Sequence, residues 1–171
     1  NPITALPYSF LDQYKHKEIT VLIDAHSQLP YVLHGREKLY FKRSWNAKRI
    51  AESYRMLLAE QDPESPHRYL TKNYNINPGS IVVDVGAAEG IFAIHEMEKI
   101  KHLFLIEADQ EWIEALEATY HKWADKVTIL KKFASSLDDE ENIRLDTYFY
   151  KYPVIDFLKI DVDGAEQELL W

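Results

Sequence analysis

One continuous apolar run, residues 81–85, constrains the fold of this chain more than any other feature. Only Asp84 interrupts it, and a turn containing Gly86 and Gly90 follows before a helix-like segment. A short apolar run bounded by turn residues is typical of a parallel strand that is covered on both faces. The pattern predicts a buried strand that passes through a tight glycine turn into a helix.

The same alternation of strand and helix continues along the chain. We expect a helix over 90–100, strands at 103–106, 127–130 and 155–160, and a second helix whose buried stripe contains Ile113, Leu116, Tyr120 and Trp123. This order predicts the α/β class, with a doubly wound, Rossmann-like parallel sheet and right-handed crossovers. Such sheets normally continue beyond a fourth strand, so we expect the C-terminal strands to be missing and the chain to be cut at both ends.

The first 78 residues have a different pattern, and the turn signal at 77–80 separates them from the core at 79–171. Short β-prone runs occur at 19–23, 29–33 and 38–42, with a hairpin at 34–37. An amphipathic helix follows from Ala47 to Leu58. Ser65 and Pro66 then resemble a cap and a first helical residue, which predicts a short helix. We therefore predict an N-terminal α+β extension ahead of the core.

Composition narrows the function classes. The 171 residues include no cysteine, which excludes disulfides and thiolate metal sites and fits a cytoplasmic location. The formal net charge of −8 argues against a general nucleic-acid binder, although an RNA bound through a local patch stays open. No apolar run is long enough to span a membrane. A small-molecule or glycan acceptor is easier to reconcile with this charge.

The glycine turn and a second acidic residue predict a cofactor site. Ligands of open α/β sheets lie beyond the carboxyl ends of the strands, so Asp84, Gly86, Ala87 and Gly90 are expected to form the wall of a crevice. Glu107 ends the second core strand, roughly 20 residues after Asp84, where a carboxylate can accept hydrogen bonds from a ribose diol. A plain strand-to-helix turn and a solvated acid are the structural alternatives.

Two cofactors fit these features. A dinucleotide fingerprint prefers glycine at the middle position, where this chain has Ala88, and Glu89 beside a pyrophosphate would repel it. S-adenosylmethionine carries an ammonium and a sulfonium instead. The acidic loop therefore favours the sulfonium cofactor over NAD.

A third acidic group follows the fourth predicted strand. Asp161 should point into the same crevice, and Asp163 and Glu166 follow within one turn. Their candidate roles are orientation of an acceptor hydroxyl, general-base catalysis or binding of a divalent ion. Helix capping near a positive dipole end is the structural alternative. We take all three as catalytic candidates and assign no metal site.

The two motifs together resemble the FkbM family of methyltransferases. The loop Asp-Val-Gly-Ala-Ala-Glu-Gly at 84–90 is similar to that family's Asp-x-Gly-Ala-Asn-x-Gly, and Lys-Ile-Asp-Val-Asp-Gly-Ala-Glu at 159–166 to its Lys-x-Asp-x-Glu-Gly-x-Glu. The element Leu-Asp-Thr-Tyr at 145–148 also looks like one that the family places before its fourth strand. Ala88 stands where Asn is common, and Asp163 where Glu is common.

The resemblance implies an S-adenosylmethionine-dependent O-methyltransferase that acts on a hydroxyl of a sugar or natural product. By position, it implies that Gly86 and Gly90 shape the cofactor loop, that Glu107 holds the ribose, and that Ala134 and Ser135 lie by the adenine.

Other interpretations stay open. The chain could be a nicotinamide-dependent oxidoreductase or a non-catalytic cofactor-binding or interaction module, and it could form a homo-oligomer. The segment 65–69 could fold over the methionine end of the cofactor or pack as a capped helix.

Overall fold

A computed structural model describes residues 11–152, 154–162 and 164 of the chain. Its elements are strands and helices, with a 3₁₀ turn at His121–Trp123 after the fourth helix. In chain order they are α1 (Asp12–Lys15), β1 (Leu22–Ile23), β2 (Pro30–His34), β3 (Glu37–Tyr40), α2 (Ala47–Glu60), β4 (Ser80–Val85), α3 (Ile91–Ile94), β5 (Ile100–Glu107), α4 (Gln110–Tyr120), β6 (Val127–Lys131), β7 (Phe133–Ala134), β8 (Asn142–Ile143), α5 (Leu145–Phe149) and β9 (Phe157–Ile160).

The central sheet has four parallel strands in the order β6-β5-β4-β9. The chain winds outwards from β4 through β5 to β6 and then returns to the other side of β4. This reversal makes the sheet doubly wound and confirms the predicted α/β, Rossmann-like class. It also places the carboxyl ends of β4, β5 and β9 side by side, at the position where such sheets bind ligands.

Both faces of the sheet are covered, as its continuous apolar strands require. On one face, Val82 and Leu103 pack in a cluster with Phe92 of α3 and Leu116 of α4. On the other face, Val83 and Phe104 pack with residues of α5 and the loop after it. Successive side chains of a strand point to opposite faces, which is why neighbours in sequence enter different clusters.

The N-terminal segment forms the predicted hairpin and helix. Strands β2 and β3 are antiparallel around Gly35, which has a positive φ of 64°. Asn46 caps α2 by accepting a hydrogen bond from the amide of Arg49 at 2.9 Å. Val32 and Leu39 belong to the same buried cluster as the first face of the sheet. The division at residue 78 stays a prediction about chain organisation.

Two predicted helices are wrong in extent or kind. The helix expected over 90–100 ends at Ile94, because the chain must return to the start of β5, where Ile100 pairs with Ser80. Turns that include a hydrogen bond from the amide of Lys99 to the carbonyl of Glu96 make that return.

The helix expected after Ser65 is a series of turns. The Ser65 hydroxyl accepts from the amide of His67, two residues on, which is a local turn and not a helix cap. In the parts of the chain that the structure describes, no helix combines the length and apolar character needed to cross a membrane.

Candidate active site

A cavity of about 410 Å³ opens at the carboxyl ends of β4, β5 and β9. This volume lies within the roughly 300–1,000 Å³ of typical small-molecule sites. Its walls combine the glycine turn with acidic, basic and aromatic side chains. The lining residues are Lys42, Val85, Gly86, Ala88, Ile106, Glu107, Ala108, Asp109, Trp112, Lys132, Phe133, Ala134, Asp161 and Val162.

A second cavity of similar volume lies on the α5 face of the sheet. Its lining is almost entirely apolar and includes Val83, Phe149 and Leu158, with Asp146 as its charged residue. The cavity at the strand ends is the candidate site, because it lies where doubly wound sheets bind ligands and because several polar groups converge in it.

Position 86 requires glycine, because the chain that follows β9 lies too close for a side chain. Its φ is 72°, and a β-carbon at this position would lie 1.8 Å from the carbonyl oxygen of Asp161. The absent side chain therefore lets the chain after β9 approach the turn, rather than making room for a ligand. Gly90 is similar, since a β-carbon there would lie 2.7–2.8 Å from atoms of Leu116 and Tyr120 in α4.

The amide groups of the glycine turn are engaged within the protein. Those of Gly86 and Ala87 both donate to the carbonyl of Ile106, at 2.9 and 3.2 Å. The amide of Gly90 donates to the carbonyl of Ala87 at 2.8 Å. A phosphate-binding loop instead directs its free amides at the ligand. This turn therefore lacks the donor array that a pyrophosphate needs.

Glu107 joins the turn to the start of α4. One carboxylate oxygen accepts from the amide of Ala88 at 2.9 Å, and the other accepts from the amides of Ala108 and Asp109, each at 2.8 Å. A carboxylate offers about four acceptor positions, so these bonds hold its orientation and leave capacity for a ligand hydroxyl. Glu107 and Gly86 both line the cavity.

Asp84 lies behind the cavity, in a buried ion pair. Its Oδ1 is 2.7 Å from the ammonium of Lys159, which also donates to the carbonyl of Gly86 at 3.2 Å. The side chains of Lys159 and Asp84 are 7% and 0% exposed. Burial raises the pKa of Asp84, and the charge of Lys159 opposes that rise. Asp84 thus anchors the turn through Lys159 rather than lining the cavity.

Asp161 is held from the N-terminal segment. Its Oδ2 accepts a hydrogen bond of 2.7 Å from the hydroxyl of Tyr69, whose ring meets Phe92 edge to face at 5.7 Å. Burial and the Asp161 carboxylate both raise the pKa of Tyr69, so the phenol stays protonated as the donor. The segment 65–69 therefore reaches the candidate site as an extended turn.

Glu89 points into the protein and does not line the cavity. It is 8% exposed, and burial raises its pKa to about 7. Burial also raises the pKa of Glu60, and the negative charge of Asp161 raises it further. The repulsion between Glu89 and a pyrophosphate that the sequence suggests therefore does not act in this cavity; the engaged amides of the turn argue against that ligand instead.

The structure brings together some of the predicted site residues. Gly86, Glu107, Ala134 and Asp161 line one cavity. Asp84, Ala87, Gly90 and Ser135 lie outside that lining; Ala87 belongs to the core, and the Ser135 hydroxyl accepts from the amide of Leu137. Asp163 and Glu166 lie outside the described residues.

Sequence reasoning assigned no role to three side chains of the site, Lys159, Lys42 and Trp112, and it placed Tyr69 near the cofactor only as one alternative for the segment 65–69. Lys159 has a detectable signal, because a lysine inside an apolar strand needs a buried partner. Lys42 has none, since tertiary packing alone brings its loop to the strand ends.

No protein-family profile and no curated protein matches this chain. Among solved structures, the methyltransferase FkbM from Methylobacillus flagellatus is similar at 20% identity and a TM-score of 0.44, over 54% of this chain and 28% of that one. A candidate RNA methyltransferase from Pyrococcus horikoshii is similar at 16% identity and a TM-score of 0.33, over 58% of this chain and 50% of that one. This chain spans at most half the length of either structure, and over somewhat more than half of its own length it is similar to proteins named as methyltransferases.

Proposed function

We propose that the chain binds S-adenosylmethionine in the cavity at the strand ends and belongs to an O-methyltransferase. The observation that carries this proposal is the position of Glu107, whose carboxylate ends β5 and lines the cavity beside Gly86. A carboxylate at this point of a doubly wound sheet suits a ribose hydroxyl, for which Glu107 keeps an acceptor position besides its three amide donors. Ala134 lines the same cavity, and we assign it as the neighbour of the adenine.

The hydrogen bonds of the turn favour this cofactor over NAD. The amides of Gly86, Ala87 and Ala88 donate within the protein, so they offer little to a pyrophosphate. Helix α3 has only four residues, which limits the dipole that a phosphate would meet. A nucleoside without phosphates needs neither feature.

The acidic side chains fit the chemistry of methyl transfer. When bound, the cofactor would supply a methyl group on a sulfonium. Asp161 would accept the proton of an acceptor hydroxyl, and the hydroxyl of Tyr69 would fix the orientation of that carboxylate. A base contributes about 10²–10⁴-fold, and alignment of the reacting atoms contributes more, roughly 7–11 kcal/mol. Asp163 and Glu166 complete the proposed catalytic set.

The proposed acceptor is a hydroxyl on a sugar or a natural-product-like molecule. The resemblance of the motifs supports this class, and the net charge of −8 is compatible with it. The competing functions, a nicotinamide-dependent oxidoreductase and a non-catalytic binding module, make different predictions for ligand binding and turnover.

Calorimetry tests the cofactor directly. We expect S-adenosylhomocysteine to bind the chain and NADH not to bind. Binding of NADH alone would support the oxidoreductase, and binding of neither would refute the proposal.

A second experiment tests Asp161. Methyl transfer is measured with radiolabelled S-adenosylmethionine, and Asp161→Asn should lower turnover at least a hundredfold with little change in the affinity for S-adenosylhomocysteine. An unchanged rate would remove Asp161 from the mechanism.

A further inference from the structure

Lys42, from the loop after β3, forms part of the cavity wall. Its ammonium is 2.6 Å from Oδ2 of Asp109 and lies 4.9 Å from the centre of the Trp112 ring. The Lys42 side chain is only 15% exposed, although it belongs to a loop. These contacts hold a cationic donor at the edge of the candidate site.

The position of Lys42 is coupled to that of Glu107. The Asp109 side chain pairs with Lys42, and the Asp109 amide donates to the Glu107 carboxylate at 2.8 Å. One residue therefore contacts both side chains. Its other carboxylate oxygen caps α4 by accepting from the amides of Glu111 and Trp112, which makes this connection rigid.

The loop that carries Lys42 is itself fixed on α4. Arg43 pairs with Glu114 at 2.5 Å, and both the amide and the hydroxyl of Ser44 donate to Glu111, at 2.9 and 2.8 Å. Several contacts to one helix outweigh the weak single contribution of any exposed pair. Lys42 is thus presented to the cavity by a fixed surface.

A ribose needs donors as well as acceptors. Each hydroxyl carries one hydrogen and two lone pairs, so a diol that donates to Glu107 still has oxygen atoms to satisfy. The second lysine of the described lining, Lys132, donates to the backbone carbonyls of Asp139 and Asn142. Lys42 has three N–H groups and one carboxylate partner among the bonds described, so it can supply donors.

We propose that Lys42 is a nucleoside-binding residue, which donates to a ribose hydroxyl oxygen while Glu107 accepts the hydroxyl hydrogen. This inference rests on the proposed function and adds a role for the N-terminal segment: it supplies the donor half of ribose recognition. Trp112, whose ring lies under the Lys42 ammonium, lines the same cavity.

The test uses calorimetry on the full chain with S-adenosylhomocysteine, adenosine and 2′,3′-dideoxyadenosine. In the Lys42→Met variant, the affinities for S-adenosylhomocysteine and adenosine should fall about 10–100-fold, as expected for a lost charged hydrogen bond. The affinity for dideoxyadenosine, which lacks both hydroxyls, should change less than threefold.

Lys38→Met is a matched control. Lys38 lies in the same segment, pairs with Asp24 at 2.8 Å and sits 4.8 Å from the centre of the Tyr31 ring, but it does not line the cavity. All three affinities should stay unchanged in this variant.

Each outcome is decisive for one of the two claims. Equal losses for adenosine and dideoxyadenosine in Lys42→Met, or no loss for either, would overturn the role of Lys42 while the cofactor proposal stands. Failure of the unmodified chain to bind S-adenosylhomocysteine would instead refute the cofactor proposal itself.

Discussion

Lys159 and Asp84 face each other as register partners on β9 and β4, with the ammonium 2.7 Å from the carboxylate and both side chains buried. A buried pair stabilises little relative to apolar residues, but removal of one partner leaves an uncompensated polar group. Here Lys159 also bonds the carbonyl of Gly86, so the pair connects the sheet interior to the cavity wall.

Lys159→Met should lower the free energy of unfolding by about 3–5 kcal/mol, because Asp84 loses its partner in the sheet interior. The double variant Asp84→Leu/Lys159→Met should recover most of that loss. Urea denaturation of both variants measures their free energies of unfolding. A double variant no more stable than the single one would show that the pair contributes through packing alone.

Gly86→Ala should destabilise the chain by about 2–5 kcal/mol, since it combines a left-handed backbone with overlap against Asp161. Gly79→Ala is the matched control: its φ is 86°, but nothing lies within 4 Å of the added β-carbon, so the cost should be about 1–2 kcal/mol. Thermal and urea unfolding compare the two. Equal costs would contradict the close contact at Gly86.

Glu107→Gln should weaken S-adenosylhomocysteine binding at least about tenfold. An amide has one carbonyl oxygen, so it cannot accept both from Ala88 and from the amides that start α4. Glu140→Gln, at an exposed position, is the control. Calorimetry at matched ionic strength provides the measurement, and wild-type affinity in the Glu107 variant would exclude this carboxylate from cofactor binding.

Glu89 should make the chain less stable as the pH rises. Its pKa is about 7 in the folded state, compared with an ordinary value of 4.5. Between these two pH values the folded state therefore binds the proton more tightly than the unfolded state. The resulting stabilisation is present below pH 4.5 and lost by pH 7, and amounts to at most about 3 kcal/mol. Glu89→Gln should remove this slope, and so be more stable than wild type at pH 8. Urea titrations at pH 4.5, 6 and 8 check this; parallel pH profiles would contradict it.

His34 should make the chain less stable as the pH falls. It is buried, its ring stacks on His95 at 4.1 Å, and its Nδ1 lies 2.9 Å from the hydroxyl of Tyr54. Burial and the charge of His95 lower its pKa to about 4, so stability is present above pH 6.5 and lost as the pH falls towards 4. In His34→Gln, the free energy of unfolding that is lost between pH 6.5 and pH 4 should be smaller by up to about 3 kcal/mol, as unfolding titrations over this range would measure. Unchanged acid sensitivity would place the protonation elsewhere.

Local sequence pattern determined the parallel strands and the glycine turn of this protein. Apolar runs of four to eight residues between turn signals have few alternatives to buried strands, and the hairpin and α2 carry equally strong periodic signals. Helix ends were less determined: α3 stops at Ile94 because the geometry of the crossover, rather than residue preference, limits it.

Tertiary structure alone decided how the candidate site is built. Chain order indicates that Glu107 and Asp161 lie at strand ends, but not that Tyr69 bonds Asp161 or that Lys42 borders the cavity. Those contacts join residues far apart in sequence, and they exist because the N-terminal segment packs on α3 and α4. Sequence periodicity reports which face of an element is buried; it does not report which distant segment covers that face.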